Sequence, residues 1–221
     1  MGAYVPLWVK SNHSFLEGAS FPEELVEHAH ALGLSAVAIT DRDGVYGLVR
    51  AHMRAKELSI RVVTGAQFTI DVEGNAHHVV ALAKTRRGYA DLCRALSLGH
   101  ARCEKGVSLV TATDLEQTRD VFFLCPTPET LRVLYASHGP LSLFALCARH
   151  LTDGEKPREK VLRSVARDLG VQTVGANEVL YHDKLRRPLQ DILACIRGGK
   201  VLSEAGHTIC ANAEHDLKPA D

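Results

Sequence analysis

Short apolar runs alternate with amphipathic stretches along most of the chain, and this alternation restricts the possible folds more than any other feature. Runs such as "AVAIT" (36–40) have the length of buried strands, and the stretches between them place apolar residues at helical spacing. Strands alternating with helices predict a parallel sheet with right-handed crossovers, and about seven such units are enough to close a barrel. The predicted strands are 3–9, 36–40, 61–68, 77–83, 121–125, 141–146 and 172–176, and the predicted helices are 20–34, 45–58, 86–102, 128–137, 157–170 and 185–199.

Local signals fix several ends of these elements. Ser20 is a suitable cap for the first helix, and Pro22 suits its first turn. The pair Gly74-Asn75 predicts a hairpin turn between two strands. Gly170 lies at the end of the predicted helix 157–170, where a residue with a left-handed backbone conformation is expected.

Composition excludes several classes of protein. The chain has 221 residues, of which 46% are hydrophobic and 24% charged, as in globular rather than disordered proteins. Its formal net charge is zero, so any contact with nucleic acid would have to be a local patch. The six cysteines include no CxxC pair, which favours reduced thiols over a zinc ribbon or a redox motif. No run of about 18 apolar residues occurs. We therefore expect a cytoplasmic protein without a membrane partner.

Side chains that can bind metal ions occur at the predicted strand ends, where the chemistry of a barrel is located. Cys125 follows the apolar run "VFFL", so a buried, inert thiol is the favoured interpretation for it. The candidate ligands are His78, Cys125, Glu178 and His182, together with Glu17 in the first loop.

Three long stretches carry a resemblance to a known family. They are "SFLEGASFPEELVEHAHALGLSAVAITDRDGVYGLVRAH" (14–52), "LAKTRRGYADLC" (82–93) and "RRPLQDILACIRGGKVLSEAG" (186–206) with "NAEHDL" (212–217). They resemble the polymerase and histidinol phosphatase (PHP) domain at the start of bacterial C-family DNA polymerases. The segment "LWVKSN" (7–12) is similar to the error-prone branch of these polymerases. The resemblance implies the TIM-like PHP fold, a distorted (βα)7-type barrel.

Metal-bearing members of this family hold several divalent ions, and the resemblance places their ligand positions on this chain. The His-x-His pair of the first strand falls on Trp8 and Lys10, and the final Asp-x-His falls on Glu178 and Leu180. His182 lies two residues further on. The remaining former metal-site positions are Glu17, Asp41, Arg42, Gln67, His78 and Cys125.

The side chains at these positions argue against bound metal. Trp, Lys, Arg and Leu are not ordinary ligands, and glutamine is a poor ligand for zinc or manganese. A unit charge about 4 Å away at an effective dielectric constant near 20 costs roughly 4 kcal/mol, doubled for a divalent ion. We therefore expect Lys10 and Arg42 to pair with Glu17, Asp41 or Glu178 in place of the metals. A weak residual metal site would use His78, Glu178 and His182.

Basic residues recur along the last predicted helix, at Arg186, Arg187, Arg197 and Lys200. A solvated helix face explains them without any function. Contact with DNA or with a following polymerase domain is the functional alternative.

The resemblance implies a PHP domain at residues 1–209, with residues 210–221 beginning a linker toward a polymerase palm domain. The parent would be a DNA-directed DNA polymerase acting in translesion synthesis, with Mg2+ in its palm. The domain itself would have no catalytic residues and no cofactor, and would serve as a scaffold. The implied partners are the palm and thumb of the same chain, DNA, and other mutasome or clamp proteins.

Two alternatives remain open from the sequence. A metal-dependent phosphoesterase or 3′–5′ proofreading exonuclease would need Zn2+ or Mn2+. A free-standing relic with a binding role of its own would need neither a palm nor metal.

Overall fold

A computed structural model describes residues 4–220 of the chain. Nine strands and seven α-helices alternate along the described part of the chain, joined by loops and short 3-10 turns. The strands are β1 (Trp8–Val9), β2 (Ala36–Ile39), β3 (Arg61–Val72), β4 (Asn75–Ala83), β5 (Val110–Thr111), β6 (Val121–Cys125), β7 (Leu143–Cys147), β8 (Gln172–Gly175) and β9 (Glu178–Val179). The helices are α1 (Pro22–Ala31), α2 (Leu48–Leu58), α3 (Arg86–Arg102), α4 (Ala112–Glu116), α5 (Pro128–His138), α6 (Glu155–Asp168) and α7 (Arg187–Gly198).

The strands close into a barrel. The main sheet has the order β2-β3-β4-β6-β7-β8, and β1 lies beside β2, where the Thr40 N–H donates to the Val9 carbonyl at 2.8 Å. The consecutive strands β8 and β9 complete the circuit, because β8 pairs with β7 and β9 pairs with β1. The predicted distorted (βα)7-type barrel is confirmed.

One strand of the barrel runs against the others. β4 is antiparallel to both of its neighbours, β3 and β6, so the prediction of a parallel sheet holds only for the remaining pairs. The reason is the hairpin, since a two-residue turn can only reverse the chain. Its turn residues are Glu73 and Gly74, at φ of 53° and 81°, rather than Gly74 and Asn75.

Strand alternation separates two apolar layers. Seven buried side chains fill the barrel interior, including Trp8, Val80 and Leu124. The opposite face packs under the helices, where Phe123 and Cys125 contact the cluster that α3, α5 and α6 complete. The interior is therefore narrow and apolar below the strand ends that carry the polar candidates.

Some helix ends differ from the sequence prediction. Helix α1 begins after Phe21, whose N–H donates to the Glu24 carboxylate at 2.8 Å, so Ser20 is not its cap. The Ser20 hydroxyl instead contacts His182. Gly170 adopts φ of 67° just past α6, as predicted.

The polar stretch 103–119, to which the sequence assigned no element, contains β5 and α4. Thr111 caps α4, because its hydroxyl accepts from the Asp114 N–H at 3.2 Å while the Asp114 carboxylate accepts from the Thr111 N–H. None of the helices within residues 4–220 combines the length and the apolar character that a membrane crossing needs.

Three of the final described residues, His215, Asp216 and Leu217, are buried. Leu217 is 2% exposed and packs with Val9, Leu25 and Val179. His215 and Asp216 are also buried, and Asp216 forms a bridge with Tyr181. The domain boundary at residue 209 stays a prediction.

We expect Leu217→Ala to lower the free energy of unfolding by about 2–5 kcal/mol, because it removes a buried side chain and leaves a cavity. Urea denaturation followed by circular dichroism measures this change. Leu185→Ala is the matched control, since Leu185 is 88% exposed, and we expect it to stay within about 0.5 kcal/mol of the parent chain. Equal stability of the two variants would show that Leu217 does not pack into the core of the domain.

Candidate functional site

The carboxyl ends of β1 and β9 and the start of β4 border a cleft of about 390 Å3. Trp8, Lys10, Glu17, His78 and Glu178 line it from the barrel side. Helix α7 and residues 207–210 close it from above, and His215 also contributes to its wall. Six of the predicted positions, these five and Leu180, therefore converge on one cleft.

Lys10 is the central charge of the cleft. Its side chain is 5% exposed, and its ammonium nitrogen lies 2.6 Å from Glu178 Oε1 and 3.0 Å from Glu17 Oε2. Burial opposes the charge, but the Glu178 and Glu17 carboxylates outweigh it and raise the pKa of Lys10 above 10.5. Burial likewise disfavours the charge of Glu178, yet Lys10 reverses this and lowers the pKa of Glu178 below 4.5. Both groups are therefore ionised at neutral pH.

The Glu17 carboxylate, which pairs with Lys10, also forms ion pairs with two arginines. Its Oε1 lies 3.2 Å from Arg42 Nε and 2.7 Å from Arg197 Nη1. We call Lys10, Glu17, Arg42, Glu178 and Arg197 the ionic cluster. The predicted pairing of Lys10 and Arg42 with carboxylates of the former site is confirmed for Glu17 and Glu178.

The loop that carries Glu17 is tightly folded. A Cβ on Gly18 would lie 2.0 Å from the Ser11 carbonyl oxygen, so only glycine fits there. The Glu17 and Gly18 N–H groups both donate to the Ser14 carbonyl. This turn directs the Glu17 carboxylate back over the first strand toward Lys10.

Asp41 has partners other than the predicted cation. Its carboxylate accepts from the Ser11 N–H at 2.7 Å, the Ser11 hydroxyl at 2.8 Å and the Ser14 hydroxyl at 2.7 Å. Burial raises the pKa of Asp41, although the Ser14 and Ser11 hydrogen bonds oppose this. Among residues 4–220 it makes no ion pair, so the expected pairing with Lys10 or Arg42 is wrong for Asp41.

Two other substituted positions contact each other. The Trp8 indole N–H donates to Gln67 Oε1 at 2.8 Å, and both side chains are buried. His78 lines the same cleft, and burial, followed by the charge of Lys10, lowers its pKa. Leu180 adds an apolar wall.

Two predicted positions lie elsewhere. Cys125 is on the outer face of its strand, because alternation directs Leu124 inward, and burial raises the pKa of its thiol to about 12. The ring of His182 contacts Ser20 and lies edge-on to His28. The structure therefore does not bring His78, Glu178 and His182 together as a metal site.

Sequence reasoning missed His150 and His215, which lie beside Glu178. His150 Nε2 accepts from the Glu178 N–H at 3.0 Å, and His215 Nδ1 donates to the Glu178 carbonyl at 2.9 Å. Their rings stack at 4.0 Å. His150 follows β7, so a search of strand ends could have found it, whereas His215 had no local signal.

The basic residues of the last helix divide among separate contacts. Arg186 pairs with Glu24, and Arg187 lies 3.6 Å from Asp191. Arg197 belongs to the ionic cluster, while Lys200 is exposed beyond the end of α7. These four residues therefore do not form one basic face, and a contact with DNA or with a following domain stays a prediction.

The side chains present do not fit a divalent metal centre. His150, Glu178 and His215 place ligand atoms within 4.8 Å of one another. However, parallel stacked rings cannot aim their nitrogen lone pairs at one ion, and His150 Nε2 already accepts a hydrogen bond. The Lys10 ammonium also occupies the space beside Glu178. The arrangement is a network of ion pairs and hydrogen bonds.

Comparisons with known proteins agree with this architecture. A family model described as "PHP domain" matches residues 7–172. Error-prone DNA polymerases of Anaeromyxobacter sp. (strain K) and Caulobacter vibrioides are 38% and 36% identical to this chain over 97% of its length. The chain spans only 20% of each of these relatives.

One similar solved structure is a two-domain protein from Bacteroides vulgatus, described as containing a predicted PHP-like metal-dependent phosphoesterase. The match covers 90% of this chain and 56% of the chain of that protein. The TM-score is 0.51 at 14% identity. At this identity the likeness shows the fold alone.

We expect Lys10→Met to lower the free energy of unfolding at pH 7 by roughly 3–5 kcal/mol, because it leaves the Glu178 carboxylate without its buried partner. The raised pKa of Lys10 means that its contribution is present below pH 10.5 and is lost as pH rises through the folded value. The lowered pKa of Glu178 means that the contribution is present above pH 4.5 and is lost as pH falls through the folded value.

The difference in stability between the two chains should therefore be greatest between these limits and shrink outside them. Urea titrations at a series of pH values measure it. Lys156→Met is the control, since Lys156 is exposed and makes no ion pair with the described residues. A variant as stable as the parent at pH 7 would remove Lys10 from its central role.

Proposed function

The chain belongs to the PHP domain family, and from this premise we propose that it is the N-terminal domain of an error-prone DNA polymerase, with a structural role in place of metal-dependent catalysis. The parent would copy damaged templates in the cytoplasm, using Mg2+ held by carboxylates of a palm domain. The relatives named as error-prone polymerases support this parentage.

One observation carries the structural role: the Lys10 ammonium lies between two carboxylates that line the cleft. The ionic cluster contains three cations and two carboxylates, an excess of positive charge. Each unit charge about 4 Å from a divalent ion would cost roughly 8 kcal/mol at an effective dielectric constant near 20. The ionic cluster therefore supports a structural role that needs no bound metal.

The ionic cluster links parts of the chain that are distant in sequence. Lys10 follows β1, Arg42 follows β2, Glu178 lies in β9 and Arg197 lies in α7. A buried ion pair of this kind fixes geometry even where its net stabilisation is small. We infer that it holds the barrel ends in one arrangement.

The same region fixes the direction in which the last described residues run. The Asn177 side chain donates to the Glu214 and Asp216 carbonyls at 2.8 Å and 3.0 Å, and the Leu180 N–H donates to the His215 carbonyl at 2.9 Å. A following palm or thumb domain would thus be attached at a fixed point beside Glu178. This supports the proposal that the domain positions the polymerase region of its parent.

We expect the chain, purified without chelator, to contain zinc, manganese and iron at well below one equivalent each, because Lys10 and Arg42 repel divalent ions. Elemental analysis by mass spectrometry gives the metal content. The same sample with added Mn2+ should not hydrolyse bis(p-nitrophenyl) phosphate.

The variants Glu178→Gln and Glu104→Gln complete the test, Glu104 being an exposed residue outside the cleft. The phosphoesterase or exonuclease would be established instead if the parent chain bound one equivalent of metal and hydrolysed the phosphodiester. In that case Glu178→Gln should lose the metal and Glu104→Gln should keep it.

A further inference from the structure

The opposite mouth of the barrel, at the start of the parallel strands, holds a groove that the proposed function does not use. It has a volume of about 590 Å3 and lies where β3 begins and β4 ends. Leu7 and Val63 contribute apolar surface to it. The groove and the ionic cluster lie at opposite ends of the barrel, so the two proposals can succeed or fail independently.

Positive charge dominates this groove. Arg61, Lys84 and Arg86 line it, and none of the described lining residues is acidic. Within residues 4–220 these three cations make no ion pair, whereas Arg94 and Arg102 further along α3 pair with Asp91 and Asp114. Unpaired cations in a concave, partly apolar surface produce a focused positive potential.

Neighbouring groups leave this charge available. The Lys84 ammonium lies 4.6 Å from the centre of the Phe122 ring. This cation–π contact positions the ammonium and leaves its positive charge in place. Asp120, beside the groove, accepts a hydrogen bond from the Thr85 hydroxyl at 2.9 Å and forms no ion pair with Lys84 or Arg86.

An apolar shelf continues the groove on one side. Val62, Thr64 and Tyr89 line both the groove and a neighbouring cavity of about 240 Å3. The wall of that cavity includes Val49 and Met53, which are 68% and 63% exposed. Cations therefore lie next to an aromatic ring and exposed apolar side chains along one continuous surface, which we call the basic groove.

We propose that the basic groove binds a single strand of nucleic acid, with its phosphates on Arg61, Lys84 and Arg86 and a base against Tyr89 and Met53. A polynucleotide alternates phosphate charge with a flat apolar base, and proteins that bind single strands pair cations with aromatic side chains in the same way. An acidic peptide would match the cations and leave the apolar shelf uncovered.

The number of cations sets the expected salt dependence. Contacts to about three phosphates of a single strand give a slope of roughly −2 for log affinity against log salt. Affinity should then fall about twentyfold between 50 and 200 mM salt. The formal net charge of the chain is zero, so charge elsewhere adds little to this local binding.

Fluorescence anisotropy with a labelled oligothymidine tests the proposal on the 221-residue chain. We expect saturable binding at 50 mM salt with the slope given above. The double variant Lys84→Gln/Arg86→Gln should bind about tenfold or more weakly and show a slope reduced by roughly 1.4, because it removes two phosphate contacts. The matched control is Lys156→Gln/Lys160→Gln, which removes the same charge from exposed positions of α6 and should bind like the parent chain.

A second pair of measurements separates nucleic acid from a generic polyanion. Tyr89→Leu should weaken oligothymidine binding about fivefold or more, through the loss of base stacking, and leave heparin binding unchanged. Absence of binding at 50 mM salt, or an equal loss in both double variants, would overturn the proposal. Poly-glutamate binding that matches oligothymidine binding, with no effect of Tyr89→Leu, would replace it with an acidic peptide site.

Discussion

The buried ammonium of Lys10 is the contact on which the rest of the cleft depends. The carboxylates of Glu17 and Glu178 lie within 3.0 Å of its nitrogen and offset the cost of burying this positive charge. The pairing of β9 with β1 holds Glu178 in place. The same pairing that closes the barrel therefore brings the Glu178 carboxylate to the Lys10 ammonium. His215, which donates to the Glu178 carbonyl, then attaches the last described residues to the same point.

Much of this architecture could be predicted from the sequence because periodicity is a local property. The span of α3 and that of β6 agree with the prediction at both ends, and closure follows from the number of strands. The ion pairs of Lys10 were also predictable, since a lysine and a glutamate at neighbouring strand ends have few other partners. The resemblance to a known family supplied the identity of those positions, which spacing alone did not give.

The errors have a common physical cause, which is that the orientation of a side chain depends on contacts distant in sequence. Asp41 follows a strand as predicted, but the turn of residues 11–14 supplies three serine donors before any cation can reach it. Cys125 lies on the outer face of its strand, away from the cleft, and is the buried, inert thiol that the sequence favoured. His215 lies in a segment without strand or helix periodicity, so only the folded barrel brings it to Glu178.

The buried polar side chains around the cleft satisfy one another's hydrogen bonds and charges. The Trp8 indole N–H needs a buried acceptor, and Gln67 supplies one without adding a negative charge. A glutamate at position 67 would place another carboxylate in the interior, next to an indole that cannot neutralise it. Leu180 adds apolar surface where a histidine would add a polar group, and Lys10 supplies the positive charge that the carboxylates require. The stability of such a cleft depends on pH through its ionisable groups, whereas that of a metal-filled cleft depends on the concentration of the ion.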